Sequence, residues 1–371
     1  MSKTYGLLAD LHLHSWSSFS STRSDGVNSR LAGLLSEIYR AASDVHEAGG
    51  DTLVLAGDVF HVRGSVAPTV LNATKDMLYK CHSEFGTQFI IIPGNHDLEG
   101  KNSTRLGSAV TALEDSFVSV RNETNSDATL GAVLIPWFEN INQLKAELEK
   151  WAPEDYGAHR DAIIHAPIDG VIAGLPLHGL DPEYLAGLGY RRIFAGHYHN
   201  HKQMHPGVAT GDPAVDSRFY GEVYSIGALA HHTWSDVGTR AGFLLVNDEK
   251  VRFCKSHLPE FLDLTRLVDV SPEELPLMVD GNYVRVRVEA SKIKEVEAAR
   301  AELVAMGARG VLVQAEPKPA AETARVGVAT IKSGASLETS VGEFIKSVKD
   351  IDHAAVAAEA MAVLGSVKEV A

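Results

Sequence analysis

The chemistry-bearing residues of this 371-residue chain are its histidines, of which there are 17. Several stand beside Asp, Asn or Gly where short apolar runs end. Asp10-Leu11-His12 is one such cluster, and Gly57-Asp58, with His61 just beyond, is a second. Gly94-Asn95-His96-Asp97 is a third, His165 closes the run DAIIH, and Gly196-His197-Tyr198-His199 closes RRIFAGHYH. Extended chain alternates its faces, so Asp10 shares a side with His12, and His197 with His199. Two carboxylates, one amide and four imidazoles make a set of hard and borderline donors without thiolate, which suits manganese, iron or zinc. These donors exceed what one tetrahedral ion needs. Two ions ~3.5–4 Å apart, bridged by one carboxylate, would use them all and clamp the attacking and leaving oxygens of a displacement at phosphorus.

Each cluster also has a plainer reading. A single His at a strand end is usually a surface group, and Gly-Asp is common turn chemistry. Asn-His-Asp directly after a fully apolar strand has no structural need, and neither does GHxH in the same position. The five clusters together point to one shared site.

The elements that must position this site are legible as short apolar runs. They are Tyr5–Ala9, Thr52–Ala56, Phe89–Ile92, Ala132–Ile135, Ala162–Ile164 and Arg192–Ala195. Their length and branched residues predict buried strands. Leu31, Leu34, Leu35, Ile38 and Ala42 recur at helical spacing in a segment that ends at Gly49-Gly50, and Pro68–Phe85 predicts a second helix. Strand–helix–strand alternation implies an α/β layered fold with a parallel or mixed sheet. In such sheets ligands bind beyond the carboxyl ends of the strands, where all five clusters fall. Further on, Phe219–Ile226, Gly242–Val246 and Lys250–Lys255 read as antiparallel strands completing a second sheet. A boundary is expected near Leu267–Glu274. After it come a strand (Asn282–Glu289), a helix (Ile293–Met306) and a strand (Gly310–Gln314). Glu316–Ala324 then reads as a linker, with terminal helices over Ser336–Lys349 and His353–Val367.

Composition narrows the function. The formal charge is −14. Phosphate contacts come from clustered Lys and Arg, so this balance argues against a histone-like or repressor-like role. It leaves room for an enzyme that meets phosphate through bound cations. Two cysteines, Cys81 and Cys254, are too few for a cysteine zinc site and read as reduced thiols. The N-terminus lacks a signal-peptide layout, and no stretch approaches the ~18 apolar residues of a membrane span. A cytoplasmic protein that does not engage a membrane is the expectation.

The order DxH, GD, GNHD, a later His and GHxH resembles the calcineurin-like metallophosphoesterase superfamily over residues 1 to about 250. The resemblance implies a four-layer sandwich of two mixed β-sheets flanked by helices, with a small C-terminal β-α-β capping domain. It implies that Asp10, His12, Asp58 and His199 hold one metal. Asp58, Asn95, His165 and His197 hold the other, so that Asp58 bridges. His96 would then assist the leaving group, with Asp97 orienting it. Within the superfamily the chain looks most like the SbcD-type DNA repair exonucleases of bacteria and phages. The residues that carry this likeness are GDVFH with His61, the following HVRGSVAP, and YSIGALAHHTWSDVGTRAGFLLV. SLETSVGEFIKSV resembles a helix that leads to an ATPase-docking region. The implied organisation is a nuclease domain over 1–267, a capping domain over 268–320, and a linker with C-terminal helices over 321–371.

The reading is a DNA phosphodiesterase with two divalent ions, manganese first among them. It would act as an exonuclease, with endonuclease action as a second mode. DNA is the expected substrate, with Arg63, Lys101 and Arg105 at its backbone and His61 helping to place the strand. An SMC-like ATPase docked on the C-terminal helices and a homodimer are the expected assemblies. Three other readings stand beside it. One is a small-molecule phosphatase or cyclic-nucleotide phosphodiesterase with the same metals. Another is a scaffold that has lost catalysis. The third is a three-metal site of the PHP phosphoesterase kind, in which His14 would be a ligand. The pair His231-His232 has no role at this stage.

Overall fold

The computed structural model describes residues 3–153, 160–208, 220–266, 271–288, 296–315, 341, 345–346 and 352–368. The early apolar runs form strands as expected. They are β1 (Tyr5–Leu8), β2 (Thr52–Ala56) and β3 (Gln88–Ile92), joined in parallel by the short edge strand β4 (Val118–Val120). The next six strands are β5 (Asn125–Asp127), β6 (Ala132–Ile135), β7 (Asp161–His165), β8 (Arg192–Gly196), β9 (Lys202–Val208) and β10 (Tyr220–Ser225). They build a second sheet in the order β5-β6-β7-β8-β10-β9. The chain then returns to the first sheet through β11 (Gly242–Val246) and β12 (Val251–Lys255), giving the order β12-β11-β1-β2-β3-β4.

That return corrects the sequence reading, which assigned these two strands to the second sheet. β11 instead pairs antiparallel with β1, Tyr5 opposite Val246 and Leu7 opposite Leu244. β11 (GFLLV) is apolar and buried throughout and β12 (VRFCK) alternates, and neither pattern says which sheet receives them. The register with β1 decides.

Helices cover the outer faces. α1 (Ser29–Glu47) starts where the Asn28 side chain accepts hydrogen bonds from the backbone N–H groups of Arg30 and Leu31. α2 (Pro68–Phe85) begins on proline and ends at Gly86, whose φ of 72° is the usual left-handed helix stop. These two helices pack on Leu8, Leu53, Leu55 and Ile91 of the first sheet. On the far side, α3 (Ile141–Lys150) and α4 (Pro182–Ala186) pack on Val133, Ala162, Ile164 and Ile193. Between the sheets lies a third core of Tyr5, Leu7, Val54, Ile90, Leu134, Ile163 and Phe194. Side chains alternate across each strand, so one strand feeds two cores, and four layers result.

A small third sheet follows, β13 (Phe261–Asp263), β14 (Tyr283–Val288) and β15 (Gly310–Ala315), in that order, with α5 (Glu274–Val279) and α6 (Val296–Ala305). It draws its first strand from before the expected boundary at 267; residues 267–270 lie outside the described residues. Two compact units emerge, Met1–Arg287 with Lys294–Gln314, and Val288–Ile293 with Ala315–Ala371. The second contains α7 (His353–Lys368). The expected linker Glu316–Ala324 and most of the expected helix Ser336–Lys349 lie outside the described residues. Among the described residues, no helix is long and apolar enough to cross a membrane.

One buried charge cluster holds the base of the sandwich. Asp161 is fully buried and accepts from Arg191, from Arg192 and from the Tyr5 hydroxyl at 2.9 Å. Burial pushes its carboxyl up, but hydrogen bonds and charge from the two arginines win and hold it below the usual range. Its stabilising contribution is therefore complete above the unfolded value, about 4, and is lost as pH falls through the lower folded value. Urea unfolding should find Asp161→Ala weaker than wild type at pH 7 by about 3–5 kcal/mol, the cost of stranding a buried partner. The gap should narrow as the pH drops below about 4.

Candidate metal centre

All five clusters sit at the carboxyl ends of strands, β1, β2 and β3 from one sheet and β7 and β8 from the other. The two sheets meet there. His165, the last residue of β7, donates from Nδ1 to the carbonyl of Ala56 at 2.9 Å, and Ala56 ends β2. The chain must also turn sharply. Asp10 (φ 49°), His12 (φ 44°), Asp58 (φ 53°) and His197 (φ 102°) all adopt the left-handed region. Non-glycine residues rarely do so, and strain of this kind gathers at functional sites.

The glycines of the motifs have a steric reason. Gly57 has φ 89°, and a methyl group there would overlap the His165 imidazole. A methyl group on Gly94 would overlap Asp58. Both positions let backbone pass directly beneath a site side chain.

Asp58 is the centre of the arrangement. Its Oδ1 accepts the His96 backbone N–H at 2.8 Å and lies 3.4 Å from His165 Nε2, while Oδ2 lies 3.8 Å from His12 Nε2. Asn95 Oδ1 lies 3.2 Å from His165 Nε2 and 3.0 Å from His197 Nδ1. Nε2 of His12 and Nε2 of His199 stand 3.2 Å apart. Both Asp10 oxygens accept the His197 backbone N–H, at 3.1 and 2.9 Å. Ligand atoms of Asp10, His12 and His199 converge as one group, and those of Asp58, His165 and His197 as another. All seven residues chosen from the sequence as donors are thus brought to one pocket.

The donor set fits cations. His199 Nδ1 faces the Asp236 carboxylate at 2.8 Å and carries the proton, so Nε2 presents a lone pair toward His12. His165 Nδ1 is likewise committed to Ala56, leaving Nε2 against two oxygen acceptors. Lone pairs facing lone pairs need positive charge between them. Burial pushes His197 down to about 3, with the neighbouring His165 adding to the shift, so its ring is neutral and able to ligate. Burial also pulls at His165, but the Asp58 carboxylate outweighs it and raises the ring to about 9. Burial raises Asp10 to about 6, moderated by His165 and His199. A bound cation would supply the charge that this proton chemistry otherwise demands.

The remaining sequence-chosen residues divide. His61 is in place, its Nδ1 at 3.4 Å from His12 Nδ1, and its ligand atoms converge with those of His12 and His96. His96 is in place too, but its expected partner is not. Its Nδ1 donates to the carbonyl of His61 at 2.7 Å. Asp97 is fully buried and accepts the backbone N–H groups of Val59, Phe60 and Gly94, at 3.3, 2.9 and 2.9 Å. It ties the β2 and β3 loops together and so holds the turn that carries His96, through backbone amides and not through the His96 ring. A short carboxylate directly after His96 reaches backward to the turn more readily than sideways to its neighbour.

The three basic residues lie at the surface. Lys101 pairs with Glu139 at 3.6 Å, Arg105 with Glu114 at 2.6 Å, and Arg63 is exposed. His14 packs on Trp16 and His61 with ring centroids 5.6 and 5.2 Å apart, and belongs to neither donor group.

Asp236 escaped the sequence reading, and the pair His231-His232 had no role in it. Asp236 orients His199 and also accepts the backbone N–H groups of His232 and Thr233, both at 2.8 Å. His232 donates from Nε2 to the Asp10 carbonyl at 2.8 Å, and its neighbour His231 accepts the Phe261 backbone N–H at 3.0 Å. The signal for both lay in HHTWSD, an acidic residue and two histidines after GHxH, but the clusters there follow no apolar strand.

Comparison with known proteins fits this geometry. A family model described as calcineurin-like phosphoesterase matches residues 4–201. No curated protein matches the chain. Among solved structures, a dimetal phosphatase from Danio rerio is 11% identical, with a TM-score of 0.41, over 66% of this chain and 91% of that one. The protein TT1561 of Thermus thermophilus is 11% identical, with a TM-score of 0.37, over 69% and 99%. The family match spans more than half of the 371 residues, and the chain belongs to the calcineurin-like phosphoesterase family.

Carboxylates that orient a ligating His tune its affinity, and their loss typically weakens metal binding about 10–100-fold. Asp236→Asn should therefore weaken divalent-cation binding by that order in titration calorimetry. Its circular dichroism spectrum should match that of wild type.

Proposed function

We propose that this phosphoesterase hydrolyses phosphodiester bonds of DNA with two divalent cations, manganese foremost. The carrying observation is that one carboxylate, Asp58, faces donors of both groups, His165 through Oδ1 and His12 through Oδ2. Asp10, His12, Asp58 and His199 would hold one ion, and Asp58, Asn95, His165 and His197 the other. Such a pair supplies Lewis acidity toward phosphate oxygens and acidifies water.

The chain's own groups do the rest. Nδ1 of His96 is committed to the His61 carbonyl, so its Nε2 is the atom free to carry a proton to the departing oxygen. Hydrogen bonds of Asp97 to three backbone amides keep the His96 turn against the Asp58 loop. His61, beside His12 and His96, would steady the substrate strand. The DNA assignment rests on the likeness of GDVFH and the segment after GHxH to SbcD-type exonucleases. Exonuclease action is the first expectation from it and endonuclease action the second. An SMC-like ATPase held by the C-terminal segment would provide a basic surface for DNA, and pairing with a second copy is part of the same reading.

A net charge of −14 and the pairing of Lys101 and Arg105 with acids favour a second reading, a small phosphodiester or phosphomonoester as substrate. Digestion of end-labelled DNA in manganese separates the two. Labelled DNA should shorten, and chelation should stop it. Rapid turnover of cyclic or small nucleotides with intact DNA would favour the second reading. His96→Ala should lower turnover about 10²–10⁴-fold, the usual worth of a positioned acid. Metal content should be unchanged, and a variant as fast as wild type would refute the role of His96.

A further inference from the structure

A cleft of about 610 Å³ has Trp137 in its lining. Trp137 also borders the metal pocket. Its ring lies 5.2 Å from that of His197, at 27°, and 6.0 Å from that of His165. The opposite walls come from the segment after the GNHD turn, Asn102 and Ser103, from Asn122 beyond β4, and from Gln143 on α3. The volume falls within the range of ordinary ligand sites, roughly 300–1,000 Å³.

Its chemistry is specific. Ser103 Oγ and Asn122 Oδ1 are buried there without a hydrogen-bond partner in the protein. A buried polar atom left in that condition is costly, and it is satisfied by water or by a ligand. The neighbouring cations are already engaged. Lys150 pairs with Glu147 at 3.1 Å, Lys101 with Glu139 at 3.6 Å and Arg121, through one terminal nitrogen, with Asp127 at 3.5 Å, while its Nε has no partner in the protein. Glu123 and Glu147 add negative charge to the lining. A second phosphate would meet Glu123 and Glu147 in the lining and, among its described residues, only Lys150 as a cation, already paired. A flat, neutral group with donors and acceptors along its edge would meet amides, a hydroxyl and an indole.

We propose that this cleft binds the base of the nucleotide joined to the scissile phosphate. Asn122 and Ser103 would read the base edge and Trp137 would bound its face. Enzymes that hold an unpaired base use the same combination of edge hydrogen bonds and aromatic walls. The proposal rests on the phosphodiesterase reading and adds to it a place for the nucleoside.

The test uses the full-length manganese-loaded protein and its variants Asn122→Ala and Ser103→Ala. Neither residue belongs to the metal pocket. Two chromogenic substrates are compared, thymidine 5′-(p-nitrophenyl phosphate) and bis(p-nitrophenyl) phosphate. Each variant should raise KM for the nucleoside ester about fivefold, the scale of one neutral hydrogen bond, with kcat unchanged. KM for the simple diester should not move. In parallel, the four deoxynucleosides, which carry no phosphate, are titrated against metal-free protein while tryptophan fluorescence is followed. At least one should quench it, and Asn122→Ala should weaken that binding by a similar factor. Equal KM changes for both substrates, or none, would overturn the proposal, as would the absence of nucleoside binding. Nucleoside binding without DNA cleavage would leave the cleft assigned and remove the nuclease reading. DNA cleavage without nucleoside discrimination would do the reverse.

Discussion

The contact on which the structure depends is the hydrogen bond from His165 Nδ1 to the Ala56 carbonyl, at 2.9 Å. It joins the last residue of a strand in one sheet to the last residue of a strand in the other. A sandwich of two sheets has no reason of its own to bring both carboxyl edges together. This bond, the bare backbone of Gly57 beneath the imidazole, and the Asp10 carboxylate receiving the His197 N–H draw them into one seam. Every donor of the pocket then arrives from the end of a strand fixed in a core or from the turn that follows it.

Holding that seam is expensive. Four of its residues adopt the left-handed backbone region, and each such residue costs of order 1–3 kcal/mol. The carboxylates and imidazoles are buried and press on one another's protonation. The strands beneath are almost wholly apolar and lie in three separate cores. The scaffold is strong where the site is strained, the usual division between a rigid frame and a functional loop.

Much of this was legible in the sequence because the site repeats one local grammar. An apolar strand ends, a glycine turns the chain, and a donor follows. Asp58, Asn95, His197 and His199 obey it in full, while Asp10, His12 and His165 follow their apolar strands with no glycine between. The strands themselves are legible as well, their expected and observed bounds differing by a residue or so. The grammar fails where an element has no period. β5, with sequence Asn-Ser-Asp, and β9, which contains Pro206, carry no apolar alternation and exist because a neighbour pairs with them. Placement of β11 and β12 depended on which sheet offered an open edge, which local pattern does not encode. That Asp97 would act on the His96 turn through backbone amides was not legible for a similar reason, since a backbone acceptor leaves no trace in spacing. Asp236 and His232 act on the pocket from a turn far along the chain, and only the fold shows that they touch it.

His231 and His232 are neighbours in sequence with partners in different layers. One ring accepts from Phe261 at the start of the small sheet, and the other donates to the Asp10 carbonyl at the floor of the pocket. Two consecutive imidazoles therefore act as a rivet through the joint. A tilt of the small sheet would either shear that rivet or drag the Asp10 backbone with it, so the first strand of that sheet and the floor of the pocket are geared together.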